Sequence, residues 1–172
     1  MIAGLVIFIW VVEIVNSAMG HRLISYGIMP RDTGSLPGIL FAPFLHGSIT
    51  HAVANTVPLI FLGIFVAIQA GSSLGEVMFL IVAVGGFGVW LFGRPSYHVG
   101  ASGMIMGFFG FLVANAWHKR SLTSVAVAFV ALLMYGSSLW GVFPGGTELS
   151  WEMHLFGLLA GLLAARLVSE KQ

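Results

Sequence analysis

The sequence predicts an all-α membrane protein in which one domain, residues 1–172, folds as a bundle of six transmembrane helices. Three observations predict this fold class. Apolar side chains make up 58% of the chain and charged side chains only 8%, whereas a soluble domain carries about 25% charged residues. The apolar residues fall in long runs. The breaks between these runs are too short to link separate domains.

Six apolar segments approach the length of about 20 helical residues that is needed to cross a bilayer core of about 30 Å. Breaks rich in glycine, proline and serine separate most of them. We interpret the first segment as a retained helix, because it is too long for a signal-peptide core and further apolar segments follow it. The predicted helices are Ile2–Met19, Ile49–Ala70, Leu74–Phe92, Ala101–Trp117, Leu122–Val142 and Trp151–Val168.

The first connection, residues 20–48, is long, contains three prolines and is moderately apolar. Loops of this length are usually functional or locally structured, and we expect this one to lie partly in the membrane interface. The distribution of basic residues predicts the orientation. With both termini cytoplasmic, four Lys or Arg side chains lie inside and three outside, which favours that arrangement by a small margin.

The fourth predicted helix is unusual because it is short. From Ser102 to Trp117 it has 16 residues, which span about 24 Å at 1.5 Å per residue. The preceding Tyr97–Ala101 stretch would then dip below the membrane surface. Irregular backbone at that depth is tolerated only where it is buried in protein or lines a wet cavity. We therefore expect a water-accessible cavity above Ser102.

Polar side chains interrupt the apolar pattern at the start of the second helix. His51 and Asn55 are four residues apart and share one helix face, and His46 lies just before the helix. One interpretation is hydrogen bonding between helices. The other is a set of donors directed at a developing oxyanion.

A serine between glycines opens the fourth helix, in the stretch Gly100-Ala-Ser102-Gly103. Serine at a helix start is most often a cap, and flanking glycines often mark close packing. The same position also suits a nucleophile, because the free N–H groups and the dipole of a helix N-terminus favour negative charge.

The sixth helix carries His154 one turn after its start, with Gly157 and Gly161 on roughly the same face. A lone histidine in a membrane helix is more often a packed hydrogen-bonding group than a base. Glycines on its face, however, allow another helix to approach closely. We expect that helix to be the fourth, which would bring Ser102 and His154 within hydrogen-bond reach.

Together these groups supply a nucleophile, a base and oxyanion donors, which are the components of acyl transfer. No acid completes a triad, so the predicted unit is a Ser102–His154 dyad. The chain lacks cysteine and the H-E-x-x-H metalloprotease motif, and Asp32 is its only aspartate, so serine is the nucleophile that is left if the protein is a protease. We expect no cofactor and no metal. A net charge of +1 gives no reason to expect a nucleic-acid partner.

This arrangement resembles the rhomboid family of intramembrane serine proteases. The order, helix placement and spacing of three motifs agree with that family over most of the chain. The motifs are His46-x4-His51-x3-Asn55, Gly100-x-Ser102-Gly103 and His154-x2-Gly157-x3-Gly161. The resemblance implies a rhomboid-like bundle of the minimal bacterial type, with a short, centrally placed fourth helix, in the bacterial inner membrane.

The resemblance also implies roles for these residues. Ser102 would attack the scissile carbonyl, and His154 would take up its proton and later protonate the leaving amine. His51, Asn55 and the backbone N–H of Ser102 would form the oxyanion hole, whereas His46 would hold a loop. Substrates would be transmembrane proteins cleaved near the outer end of their helix, inside the lipid bilayer.

Two other functions compete with the protease. One is a catalytically silent rhomboid-like protein that binds membrane clients, although inactive relatives usually lose the serine or the histidine. The other is a small transporter or channel, which would more often show an internal repeat.

Overall fold

The structure is a computed structural model that describes residues 1–144 and 150–169, and all regular secondary structure among them is helical. This confirms the predicted all-α class. Short helical turns are confined to the connections, and one isolated antiparallel bridge joins Ile28 to His98. The six long helices are α1 (Ile2–Ala18), α2 (Ile49–Ala70), α3 (Leu74–Phe92), α4 (Ser102–Lys119), α5 (Leu122–Tyr135) and α6 (Trp151–Ser169).

Three helical stretches of the described chain are long and apolar enough to cross a membrane, namely Ile49–Phe92, Leu122–Val142 and Trp151–Val168. The first of these, 44 residues long, contains both α2 and α3. The chain reverses between them, because the start of α2 and the end of α3 both lie beside the loop 93–100. The helix α1 is apolar but has 17 residues, and α4 is not among these stretches. The six crossings therefore stay a prediction.

Two helix ends differ by more than one residue from those predicted. The helix α4 continues to Lys119, giving it 18 residues rather than 16, or about 27 Å. It ends where Arg120 adopts a left-handed conformation and returns its N–H to the carbonyl of Ala116. The helix α5 ends earlier than predicted, at Tyr135, and Gly136–Val142 continues as a tighter 3₁₀ helix.

The helix α4 is enclosed by the rest of the bundle, since ten consecutive residues, Gly103 to Leu112, are buried. Its closest neighbour is α6. Side chains at positions 157 and 161 of α6 would collide with the carbonyl groups of Gly103 and Gly107 on α4. Glycine at these two positions therefore allows the backbones to touch. By contrast, Ser124 and Ala131 are the two buried residues of the Leu122–Val142 stretch.

The first loop is folded rather than extended. Arg31 donates its N–H to the carbonyl of Trp90, and its guanidinium Nη1 bonds the carbonyls of Leu91 and Gly93 at 3.1 and 2.9 Å. The indole N–H of Trp90 returns a bond to the carbonyl of Asp32 at 2.9 Å. The loop is thus fastened to the end of α3, beside the connection that leads into α4.

Candidate active site

The start of α4 is held in a conformation that requires glycine. Gly100 has a φ of +120°, which L-amino acids with a side chain rarely adopt. Its N–H donates to the carbonyl of Ala42 at 2.9 Å. Ala101 and Gly103 are buried, whereas Ser102, the first residue of α4, is partly exposed. Ser102 is therefore a partly exposed residue at the start of a buried helix.

His51 and Asn55 of α2 converge on this turn, as their i, i+4 spacing allows. A Cβ atom built on Gly100 would lie 2.8 Å from Cε1 and 3.0 Å from Nε2 of the His51 ring. The same atom would lie 3.6 Å from Nδ2 of Asn55. The structure therefore brings both side chains next to the backbone that leads directly into Ser102.

The Asn55 amide is unusual because its Nδ2 is buried without a hydrogen-bond partner among the described residues. Asn55 is 8% exposed. Buried amide donors are nearly always paired, and an unpaired one costs about 1–3 kcal/mol. The group is therefore a buried donor beside Gly100 that has no acceptor among the described residues.

His46 lies on the other side of the same turn and contacts both neighbours. Its Nε2 accepts a hydrogen bond from the Ala101 N–H at 3.3 Å, and its ring meets that of His51 edge to face at 5.0 Å. Burial first, and the neighbouring His51 second, lower the pKa of His46 to about 4, although the Phe44 backbone opposes this. The ring is therefore neutral at pH 7 with its proton on Nδ1, which suits an acceptor at Nε2.

The backbone of His46 is fixed from α1. Asn16 is fully buried, and its Nδ2 donates to the His46 carbonyl at 2.9 Å. Its Oδ1 accepts from the N–H of Leu23 at 3.1 Å. A single asparagine thereby joins α1, the first loop and the segment that enters α2.

The contact between α4 and α6 brings the residues beside Ser102 and His154 together. A Cβ on Gly103 would lie 3.2 Å from the carbonyl oxygen of Met153, and one on Gly157 would lie 2.8 Å from the carbonyl carbon of Gly103. Ser102 and His154 each directly adjoin this contact in the sequence. Both side chains are partly exposed.

The expected hydrogen bond between Ser102 and His154 is not formed in the described part of the chain. Instead, Nδ1 of His154 lies 3.1 Å from the carbonyl oxygen of Gly141, in the 3₁₀ segment that follows α5. A carbonyl oxygen only accepts, so Nδ1 carries the proton and donates it. The second nitrogen, Nε2, is then the basic one. Catalytic hydrogen bonds are often long in unliganded sites and tighten only when substrate binds.

Gly141 is the site contact that sequence reasoning missed. A backbone carbonyl has no sequence signature, and nothing in the local pattern relates residue 141 to a ring 13 positions later. The carbonyl occupies the position that an acid would take in a triad. Glu152, the acidic residue beside His154 in the sequence, bonds the backbone N–H of Arg94 at 3.2 Å instead. In residues 1–144 and 150–169, no group of three His, Asp or Glu residues is arranged to hold a metal ion.

The fold defines a helical integral membrane protein in which Ser102 and His154 each adjoin, in the sequence, the contact between two glycine-packed helices. A model of the Rhomboid domain matches residues 33–171. The chain therefore belongs to the rhomboid family, whose members are generally intramembrane serine proteases.

Relatives cover most of the chain. An uncharacterised protein of Mycobacterium tuberculosis is 37% identical over 175 residues, which include 95% of this chain and 72% of that protein. A protein of Mycobacterium leprae is 36% identical over 172 residues, and the match covers 94% of this chain and 67% of that protein. The RHOMBOID-like protein 4 of Arabidopsis thaliana is 29% identical over 129 residues, or 73% of this chain and 32% of the plant protein.

Proposed function

We propose that this protein is an intramembrane serine endopeptidase that hydrolyses peptide bonds in or near the transmembrane segments of other proteins. One observation carries the proposal. The unpaired Asn55 amide and the His51 ring converge on Gly100, two residues before an accessible serine at a helix N-terminus. Buried donors are nearly always paired, whereas Nδ2 of Asn55 and Nδ1 of His46, which lies in the same cluster, have no partner among the described residues.

In the proposed reaction, Oγ of Ser102 attacks the carbonyl carbon of the scissile bond while Nε2 of His154 takes the hydroxyl proton. Collapse of the tetrahedral intermediate breaks the C–N bond, and the imidazolium returns that proton to the leaving amine. Water then hydrolyses the acyl-enzyme by the same steps. The bond from Nδ1 to the Gly141 carbonyl supports this role, because it selects the tautomer with a basic Nε2.

The developing oxyanion requires donors on one side of the serine. Nδ2 of Asn55, the ring of His51 and the backbone N–H of Ser102 are the proposed set. The first N–H groups of any helix lack intrahelical acceptors, and the dipole of α4 adds partial positive charge there. One such donor contributes about 3–4 kcal/mol to stabilising a transition state.

The substrates that fit such a site are membrane helices weakened near their ends. A helix must unwind locally before its carbonyl is accessible, and glycine or proline lowers that cost. We place the protein as a multi-pass protein of the bacterial inner membrane with both termini cytoplasmic. No metal, cofactor or nucleic acid takes part in the proposed reaction.

The test is labelling of the detergent-solubilised protein with a fluorophosphonate probe, together with cleavage of a reporter transmembrane helix. We expect labelling and cleavage in the wild type and neither in Ser102→Ala or His154→Ala. Ser25→Ala is the matched control, because the Ser25 side chain is exposed on the first loop and its hydroxyl donates to the carbonyl of Arg22 at 2.9 Å. Folded wild-type protein that neither labels nor cleaves, yet retains a bound membrane helix, would favour the silent binding protein.

A further inference from the structure

A second serine–histidine pair lies beside the proposed dyad. Nδ1 of His98, in the loop before α4, lies 2.6 Å from Oγ of Ser150, at the start of α6. Nε2 of His98 lies 3.0 Å from the carbonyl of Arg94, so Nε2 carries the proton and Nδ1 accepts from the Ser150 hydroxyl. His98 is 1% exposed. A contact this short in a buried setting fixes both segments.

This pair cannot itself act as a nucleophile and base. The Ser150 oxygen also accepts from the N–H of Met153 at 3.2 Å, which caps α6. Its single proton is directed at Nδ1 of His98 at 2.6 Å rather than at the Glu152 carboxylate at 3.5 Å. Both ring nitrogens of His98 are occupied, and the ring is buried, so no substrate carbonyl can reach it.

The position of the pair relative to the dyad is its informative feature. His98 precedes Ser102 by four residues, and Ser150 precedes His154 by four residues. The residues between Ser150 and His154 are the first turn of α6, and those between His98 and Ser102 are the turn around Gly100. One hydrogen bond therefore joins the two short segments that carry the nucleophile and the base.

A second contact joins the first turn of α6 to the start of the same loop, four residues before His98. Oε1 of Glu152, on the first turn of α6, accepts from the backbone N–H of Arg94 at 3.2 Å and lies 3.5 Å from its guanidinium Nε. Glu152 is 1% exposed, so this carboxylate is committed to the loop. We call the His98–Ser150 and Arg94–Glu152 contacts together the clamp.

The loop side of the clamp is itself anchored from the first loop. The backbone of His98 exchanges both hydrogen bonds with Ile28, at 3.1 and 2.9 Å. Burial lowers the pKa of His98, with Arg94 adding to the shift and the Arg94 backbone and Glu152 opposing it, so the ring is neutral at pH 7. Neutral His98 with an acceptor at Nδ1 is the form that the Ser150 hydroxyl requires.

We propose that His98 and Ser150 are positioning residues that set the separation between Ser102 and His154 by clamping the loop before α4 to the start of α6. The inference rests on the proposed protease function. Among the described residues Ser102 and His154 share no hydrogen bond, so their separation depends on neighbouring contacts. Misplacement of reacting groups by about 1 Å costs on the order of 100-fold in rate.

The test compares His98→Ala with His98→Asn. Asparagine places an amide close to the position of Nδ1 and can still bond Ser150, whereas alanine cannot. We expect His98→Ala to lower the first-order inactivation rate by the fluorophosphonate at least tenfold with KI unchanged. His98→Asn should restore most of that rate. A His98→Ala variant that labels at the wild-type rate would overturn the clamp and leave the protease intact.

The second arm separates the clamp from the helix cap. Ser150→Ala removes both, whereas Ser121→Ala removes a cap of the same kind from α5, where the Ser121 hydroxyl accepts from the N–H of Ser124 at 3.1 Å. We expect Ser150→Ala to lower the inactivation rate as much as His98→Ala does. The double variant should lose no more of that rate than either single variant, and Ser121→Ala should label at the wild-type rate. Two results would mean a merely structural role and overturn the clamp. One is a double variant whose loss of rate is the sum of the two single losses. The other is an equal loss of rate in His98→Asn and His98→Ala.

Hydrogen exchange provides a readout that does not depend on activity. The amides of residues 99–101 and 153–154 should exchange faster in His98→Ala than in the wild type, with protection restored in His98→Asn. If the wild-type protein does not react with the fluorophosphonate, that result refutes the proposed function. The hydrogen-exchange comparison still tests whether His98 holds the two segments together. Unchanged exchange in His98→Ala would overturn it.

Discussion

Replacing Gly157 by alanine tests whether the contact between α4 and α6 sets the catalytic geometry. The added Cβ would lie 2.8 Å from the carbonyl carbon and 3.1 Å from the Cα of Gly103. Carbon atoms prefer separations of about 3.5–4.0 Å, so the helices must move apart by roughly 1 Å. The atoms in the way are backbone, which no rotamer change can relieve.

A shift of that size acts on both activity and stability. His154 lies one turn before Gly157, and Ser102 directly precedes Gly103. Moving the two helices apart should therefore also increase the distance between Ser102 and His154. We expect the inactivation rate of Ser102 by the fluorophosphonate to fall on the order of 100-fold. Overpacking of this kind should lower the free energy of unfolding by about 1–3 kcal/mol.

The assay measures labelling rate and thermal unfolding in the same detergent preparation, with Gly75→Ala as the matched control. Gly75 lies in α3, and a Cβ built on it has no atom within 4 Å. That substitution should label normally and stabilise the helix by about 0.5–1 kcal/mol. A folded Gly157→Ala protein that labels at the wild-type rate would show that close approach of α4 and α6 does not set the dyad.

Three further outcomes follow from the site. Asn55→Ala should lower kcat about 10²–10³-fold with little change in KM, measured by steady-state cleavage of the reporter helix; an unchanged kcat would remove Asn55 from the oxyanion hole. Gly141→Ala places a Cβ 2.5 Å from Nδ1 of His154, so its labelling rate should fall and its pH–rate profile should shift, whereas Gly136→Ala should label normally. The pKa of His46 is lowered from 6.5 to about 4 in the folded protein. Between pH 6.5 and pH 4 the unfolded chain therefore binds more protons than the folded chain. The free energy of unfolding should fall by roughly 1.4 kcal/mol for each pH unit as the pH drops through this range. Thermal unfolding against pH should show this loss, and His46→Gln should flatten it if the ring is its source.

The helices were predictable because hydropathy acts locally. Runs of apolar residues and glycine-rich breaks gave five of the six helix starts to the residue and the remaining one, that of α4, within one residue. The errors lie at C-terminal ends. Lys119 stays helical until the left-handed Arg120, and Gly136 begins a 3₁₀ segment, because these ends depend on backbone geometry and on contacts with distant residues.

The site was predictable where spacing along one helix decides it. Four-residue spacing puts His51 and Asn55 on one face, and the glycines at 157 and 161 indicated a close helix partner. Contacts made by backbone groups could not be predicted. The bond from His154 to the Gly141 carbonyl joins residues 13 positions apart, and the His98–Ser150 bond of the clamp joins residues 52 positions apart. No local sequence pattern indicates either contact.

In the proposed active site a carbonyl stands where a triad has an acid, and we attribute this to the cost of charge in this environment. A carboxylate buried beside His154 would lose its hydration, and buried ions are tolerated only when fully paired. The chain's own example is Glu152, which is buried and bonds the N–H of Arg94 and lies near its guanidinium. The Gly141 carbonyl fixes the same imidazole tautomer without any net charge. A neutral carbonyl stabilises the imidazolium less than a carboxylate would. Because the carbonyl belongs to the backbone of the 3₁₀ segment, the orientation of the ring depends on how firmly that segment is held.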